Sequence, residues 1–153
     1  MADSMLSKDA SQVYQNGKLY MADPAEVFVG DPRTPRFGCY SQPIVDAANR
    51  HLATARSARK AYNISGASVT TLYNYVANHV PVLVWGTMGM SSPTYDTKWY
   101  DKETGELIQW IGAEHCLVLA GFDNSTVTVS DPLKGVTAYP RAVFEQRYAQ
   151  VGK

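Results

Sequence analysis

The stretch Glu114-His115-Cys116-Leu117-Val118-Leu119-Ala120-Gly121-Phe122-Asp123-Asn124-Ser125-Thr126-Val127-Thr128-Val129-Ser130-Asp131-Pro132 decides how the chain is read. Two runs of aliphatic and β-branched residues flank Asp123-Asn124-Ser125, a composition that makes turns. The stretch reads as one antiparallel hairpin centred near Asp123 or Asn124, which sets His115 opposite Asp131 to within one residue of register. Opposed side chains in such a pair have Cβ atoms roughly 4.5–5.5 Å apart, within reach of an imidazole–carboxylate hydrogen bond. A carboxylate on one ring nitrogen fixes the tautomer and stabilises the imidazolium, as a general base requires. His115 and Asp131 are therefore a candidate base and its orienting partner. The same spacing also fits a strand histidine satisfied by a local acceptor, with Asp131-Pro132 as a plain turn. The period of two puts His115, Leu117 and Leu119 on one face and Cys116, Val118 and Ala120 on the other. Cys116 thus points away from His115 and is a poor partner for the same site.

Outward from the hairpin, residues 82–85 form a β-branched and aromatic run, read as a strand. Residues 88–97 hold Gly, Ser and Pro and read as loop. Asp101-Lys102-Glu103-Thr104-Gly105 has turn chemistry between 99–100 and 107–111, a second hairpin. A further strand is expected over 136–139 and a closing helix over 143–151, with Gly152 at its end. Upstream, Ser41 is expected to cap a helix with Pro43 in its first turn, and Ile44, Val45, Ala48 and Leu52 recur at helical spacing. A second helix starts near Ser68, carries Val69, Leu72, Tyr73 and Val76 on one side, and stops before Pro81. Asp23-Pro24, Asp31-Pro32 and Pro35 mark a constrained loop. The first thirty residues are weakly patterned, and scattered Leu6, Val13 and Leu19 suggest a short helix. Helices first and hairpin-linked strands later predict an α+β domain with an antiparallel sheet.

At 153 residues the chain is long enough to bury a core without staples. Its 14 basic and 14 acidic residues cancel, and no basic stripe points to nucleic acid. The two cysteines, Cys39 and Cys116, make no disulfide framework. No stretch reads as a signal peptide or a membrane span, which leaves the compartment, and export of a parent protein, open. No cluster has zinc-ligand spacing, and Gly86 to Gly89 lacks phosphate-loop spacing. His51 and His79 fall at predicted helix ends, where the helix dipole favours a histidine. Trp85, Trp99 and Trp110 fit either a substrate groove or the core. Glu114 should face away from His115 as a solvated strand residue.

Several segments occur in a telling order. They are Phe28-Val29-Gly30-Asp31-Pro32-Arg33, Phe37-Gly38-Cys39-Tyr40, Pro81-Val82-Leu83-Val84-Trp85, Gln109-Trp110-Ile111 with Glu114 to Leu119, Asp131-Pro132-Leu133-Lys134-Gly135, and Phe144-Glu145-Gln146-Arg147-Tyr148. Together they resemble bacterial C39-like (C39_2) cysteine peptidase domains over about residues 20–153. The resemblance implies a papain-like fold, with His115 as the catalytic histidine and Asp131 as the acidic member. In the family a Gly-Cys nucleophile box and an oxyanion glutamine precede the segment matching 28–33. Here only a short polar stretch without cysteine precedes it, so the expectation is a single domain over 1–153, truncated at its N-terminus.

Cys39 is then the substitute nucleophile. It follows Gly38 and stands just before a helix start, where backbone N–H groups and the positive helix end lower a thiol pKa. Its structural alternative is a small buried hydrophobe at a tight loop-to-helix junction. The implied activity is thiol-dependent hydrolysis of a peptide or protein substrate, with no cofactor, no metal and no nucleic acid. The alternatives are a binding module that lacks a competent thiol, and acyl transfer or deamidation on the same fold. A truncated domain would also expose core, which implies self-association.

Overall fold

The computed structural model describes residues 5–34 and 36–151. The expected roles of Pro35 in a constrained loop and of Gly152 at a helix end lie outside the described residues. In chain order the elements are β1 (Lys8–Asp9), β2 (Val13–Gln15), β3 (Lys18–Met21), β4 (Phe28–Val29), α1 (Ser41–Thr54), α2 (Val69–Ala77), β5 (Val82–Thr87), β6 (Lys98–Asp101), β7 (Leu107–Gln109), β8 (Glu114–Phe122), β9 (Thr126–Asp131), β10 (Gly135–Pro140) and α3 (Arg141–Val151). They form two compact units, residues 1–64 with 98–109, and residues 65–97 with 110–153.

The first unit begins with strands where a short helix was expected. Asn16 and Gly17 both have positive φ, 51° and 73°. That conformation turns β2 directly into β3, with Gln15 paired to Lys18. The unit's main sheet runs β2-β3-β6-β7, and its β3–β6 pair is parallel. A separate parallel pair joins β1 and β4. The α+β expectation holds, but this main sheet is mixed and strands precede the helices. One face of the main sheet buries Met21 and Trp99, each 1% exposed. The Trp99 indole donates to the Ala22 carbonyl at 3.0 Å, and Phe37 meets its ring edge-on.

Helix α1 starts one residue earlier than a Ser41 cap allows. Tyr40 is the N-cap without a side-chain cap bond, and the Ser41 hydroxyl donates to Asn63 instead, at 3.1 Å. The helix closes with the Ser57 N–H on the Leu52 carbonyl and Arg56 left-handed at φ 51°. This is a Schellman end without glycine.

In the second unit the Ser68 hydroxyl accepts from the Thr71 N–H at 3.1 Å and caps α2 as predicted. Helix α2 also closes as a Schellman motif. Val80 donates to Tyr75 O, His79 donates to Val76 O, and His79 sits at φ 59°. The sheet of this unit runs β10-β9-β8-β5 and is antiparallel throughout. Val82, Val84, Leu117, Leu119, Val127 and Val129 form its buried face, and α2 and α3 pack on the sheet. Truncating a leucine here, such as Leu117 or Leu119, costs about 2–5 kcal/mol. This rigid sheet positions the candidate site at one end.

Candidate active site

His115 stands on the central strand β8, flanked by Gly86 of β5. Its Nε2 lies 2.8 Å from Oδ1 of Asp131, the last residue of β9. The pair is enclosed, with side-chain exposures of 12% for His115 and 1% for Asp131.

The two do not face each other squarely. Val118 pairs with Ser130, which carries Leu117 alongside Asp131 and leaves His115 one pleat farther on. The bond therefore runs along a diagonal, roughly 7–8 Å between the backbones. Such a span favours the distal ring nitrogen, and Nε2 is the one engaged.

A bulge makes the meeting possible. Near the turn Phe122 pairs with Val127 and Gly121 with Thr128, but beyond Ala120 the register shifts by one, and Leu119 pairs with Val129. Continued without the shift, the turn register would set Val118 beside Asp131. The carboxylate would then share a face with Cys116 and not with His115. The sequence reading set His115 opposite Asp131 across a turn at residues 123–125; the turn is there, but the two side chains meet on a diagonal through a bulge that the reading omitted.

Asp131 is held from several sides. Its Oδ1 also accepts the Leu133 N–H at 2.8 Å, and its backbone carbonyl accepts from Lys134 N. Burial opposes its ionisation, but the hydrogen bonds from His115 and Leu133 outweigh that and hold the carboxyl below its usual range. The ionised carboxylate accepts the proton on Nε2, which leaves Nδ1 as the lone-pair nitrogen able to take a proton. The Leu133 N–H was missed from sequence, although Asp followed two residues later by a free N–H is the signal of an Asx turn.

The approach to His115 is tightly fixed. Gly112 donates to Thr94 O at 2.7 Å, and Met88 donates to Ala113 O at 2.8 Å. Ala113 has φ 61°. A Cβ on Gly112 would lie 2.0 Å from the Thr94 hydroxyl, so only glycine fits without displacing it. Thr87 bonds the Ser91 carbonyl, and the Arg147 guanidinium holds that of Met90.

The remaining predicted residues separate clearly. Cys116 turns away from His115, and burial, reinforced by Glu114, pushes its thiol up to about 12. Glu114 is half-buried with enclosed carboxylate oxygens, not a solvated strand residue, because it lies on the covered end of the sheet beside Thr87. Cys39 belongs to the first unit, while His115 and Asp131 belong to the second. It is 6% exposed, in the loop before α1, between the Gly38 carbonyl bonded to Val29 N and the Tyr40 N–H bonded to Pro24 O. His51 lies in the last turn of α1, and His79 just past α2. Trp85, Trp99 and Trp110 are core residues at 6%, 1% and 8% exposure. Among the described residues no three His, Cys, Asp or Glu side chains cluster as a metal site, and no helix is long and apolar enough to cross a membrane.

A family profile described as the Peptidase_C39 like family matches residues 1–153. A crystal structure provisionally described as a C39-like peptidase from Bacillus anthracis is similar at TM-score 0.78 and 28% identity, covering 96% of this chain and 72% of that one. No curated protein matches the sequence.

Proposed function

We propose that this chain, which belongs to the C39-like peptidase family, cleaves peptide bonds by a papain-like thiol mechanism, with His115 as base and Asp131 as its orienting partner, and that Cys39 is the thiol to test as nucleophile. The observation that carries the reading is the enclosed 2.8 Å bond between His115 Nε2 and Asp131. In this mechanism Nδ1 takes the thiol proton and the thiolate attacks the substrate carbonyl. The imidazolium returns that proton to the leaving amine as the C–N bond breaks, leaving a thioester. Water, deprotonated by Nδ1, then attacks the thioester and releases the acid and the thiol. Asp131 stays ionised throughout and stabilises the imidazolium.

One observation favours a second reading. Cys39 is 6% exposed, which suits packing better than attack. Under that reading the domain binds peptide without cleaving it. The discriminating experiment is the pH dependence of alkylation at Cys39, read by peptide mass spectrometry, in the wild type and in His115→Ala. Reaction well below pH 8 that is lost without His115 marks a paired thiolate and an enzyme. A thiol that is inert, or titrates alike in both proteins, marks Cys39 as structural and removes it from the mechanism.

A further inference from the structure

The open face of the β2-β3-β6-β7 sheet carries two parallel rows of side chains. The pairings Val13 with Tyr20, Tyr20 with Tyr100 and Tyr100 with Leu107 define an apolar row across all four strands. At roughly 4.8 Å per strand the row spans about 14 Å. Its ends are open, with Val13 50% and Leu107 55% exposed. Two residues along, Gln15 pairs with Lys18 and Lys98 with Gln109. Tyr20 pairs with Tyr100, and the parallel register carried two residues back along β3 and β6 sets Lys18 toward Lys98. A polar row with two ammonium groups therefore runs beside the apolar one, at roughly 6.6 Å along the strands. No carboxylate stands in either row. Like charges on neighbouring strands repel, and an anion seated between them relieves the repulsion.

We propose that this face binds an acidic, amphipathic segment of a partner polypeptide, with apolar side chains on the Val13–Tyr20–Tyr100–Leu107 row and Asp or Glu carboxylates on Lys18 and Lys98. Two features favour a polypeptide over a stacked nucleic acid. The Lys18 ammonium lies over the Tyr100 ring, 4.5 Å from its centroid, where a base would stack. The ends of the row are aliphatic, and aliphatic side chains give no stacking platform. A second copy of the face is disfavoured as well, because two such rows meeting would bring four lysines together without a carboxylate.

Fluorescence anisotropy of labelled peptides tests the proposal on the full chain at low salt. A peptide alternating Leu and Glu is expected to bind at least about tenfold more tightly than its Leu-Lys counterpart, and to weaken as salt is raised. Lys18→Glu with Lys98→Glu should invert that preference. Val13→Thr with Leu107→Thr, which keeps strand propensity, should weaken the Leu-Glu peptide without changing the circular dichroism. Binding indifferent to peptide charge, or unmoved by either pair of substitutions, overturns the proposal. So does stronger binding of oligothymidylate, or concentration-dependent dimerisation abolished by the threonine pair, which assigns the face to a second copy. None of these readouts depends on peptide cleavage.

Discussion

At the scale of single residues, Asp131 both orients an imidazole and closes a turn, and the two roles can be separated. Asp131→Asn keeps the volume but loses the charge that stabilises an imidazolium, so under the proposed thiol mechanism peptide cleavage should fall by orders of magnitude while the fold survives. Asp131→Ala also leaves the His115 and Leu133 N–H groups unpaired, which should cost about 1–3 kcal/mol more in urea unfolding. Because the folded carboxyl sits below its usual range, its contribution is present above about pH 4 and is lost as pH falls through the lowered folded value. Acid unfolding followed by circular dichroism should therefore be shallower in Asp131→Asn than in the wild type. His115 and Asp131 were legible because antiparallel strands fold a sequence back on itself around a recognisable turn. For Cys39 the sequence left two settings open, and the structure matches the buried residue at a tight loop-to-helix junction, where its neighbours bond to Pro24 and Val29.

At the scale of elements, helices α2 and α3 are joined through one polar cluster. The Tyr73 hydroxyl donates to Glu145 at 3.1 Å, Arg141 donates to the same carboxylate at 2.7 Å, and its guanidinium lies over the Tyr73 ring. Burial, then the Glu145 carboxylate, pushes Tyr73 up to about 12. A raised tyrosine contributes stability that is intact below its unfolded value near pH 10 and is lost as pH climbs toward the folded one. Alkaline unfolding should thus begin near pH 10, and Tyr73→Phe should flatten it. In the segment before β8, where Gly112 bridges to Thr94, Gly112→Ala should cost about 1–3 kcal/mol by crowding Thr94. Adding Thr94→Ala should restore part of that loss in a double-mutant cycle, since the closest clash is with the threonine hydroxyl. The β8–β9 hairpin was readable because its aliphatic runs are long. The β2–β3 hairpin carried an equally good Asn-Gly turn, but its strands are short and mostly exposed, so alternation offered little contrast.

At the scale of the molecule, the chain passes between its two units at 64/65, 97/98 and 109/110. Strands β6 and β7 therefore complete a sheet begun some eighty residues earlier, through the parallel pairing of Tyr20 with Tyr100. Such a pairing leaves no periodic trace in sequence: the β6–β7 hairpin was legible, the β2–β3 region suggested a short helix instead, and the union of the two was not legible at all. Trp99 is the anchor of this return, with its ring buried and its indole bonded to Ala22. Trp99→Ala should destabilise the protein by about 3–5 kcal/mol, measured by urea unfolding followed by circular dichroism.

The irregularity at Ala120 gives the β8–β9 hairpin a parity. Between the turn at Asn124 and the histidine the chain counts residues modulo two, and the extra one makes the count come out right. A conservative point substitution leaves that count intact, whereas one added residue, however small and wherever it falls between Cys116 and the turn, would hand Asp131 a thiol in place of an imidazole. Length polymorphism in this short stretch is thus a sharper threat to the site than most changes of side chain.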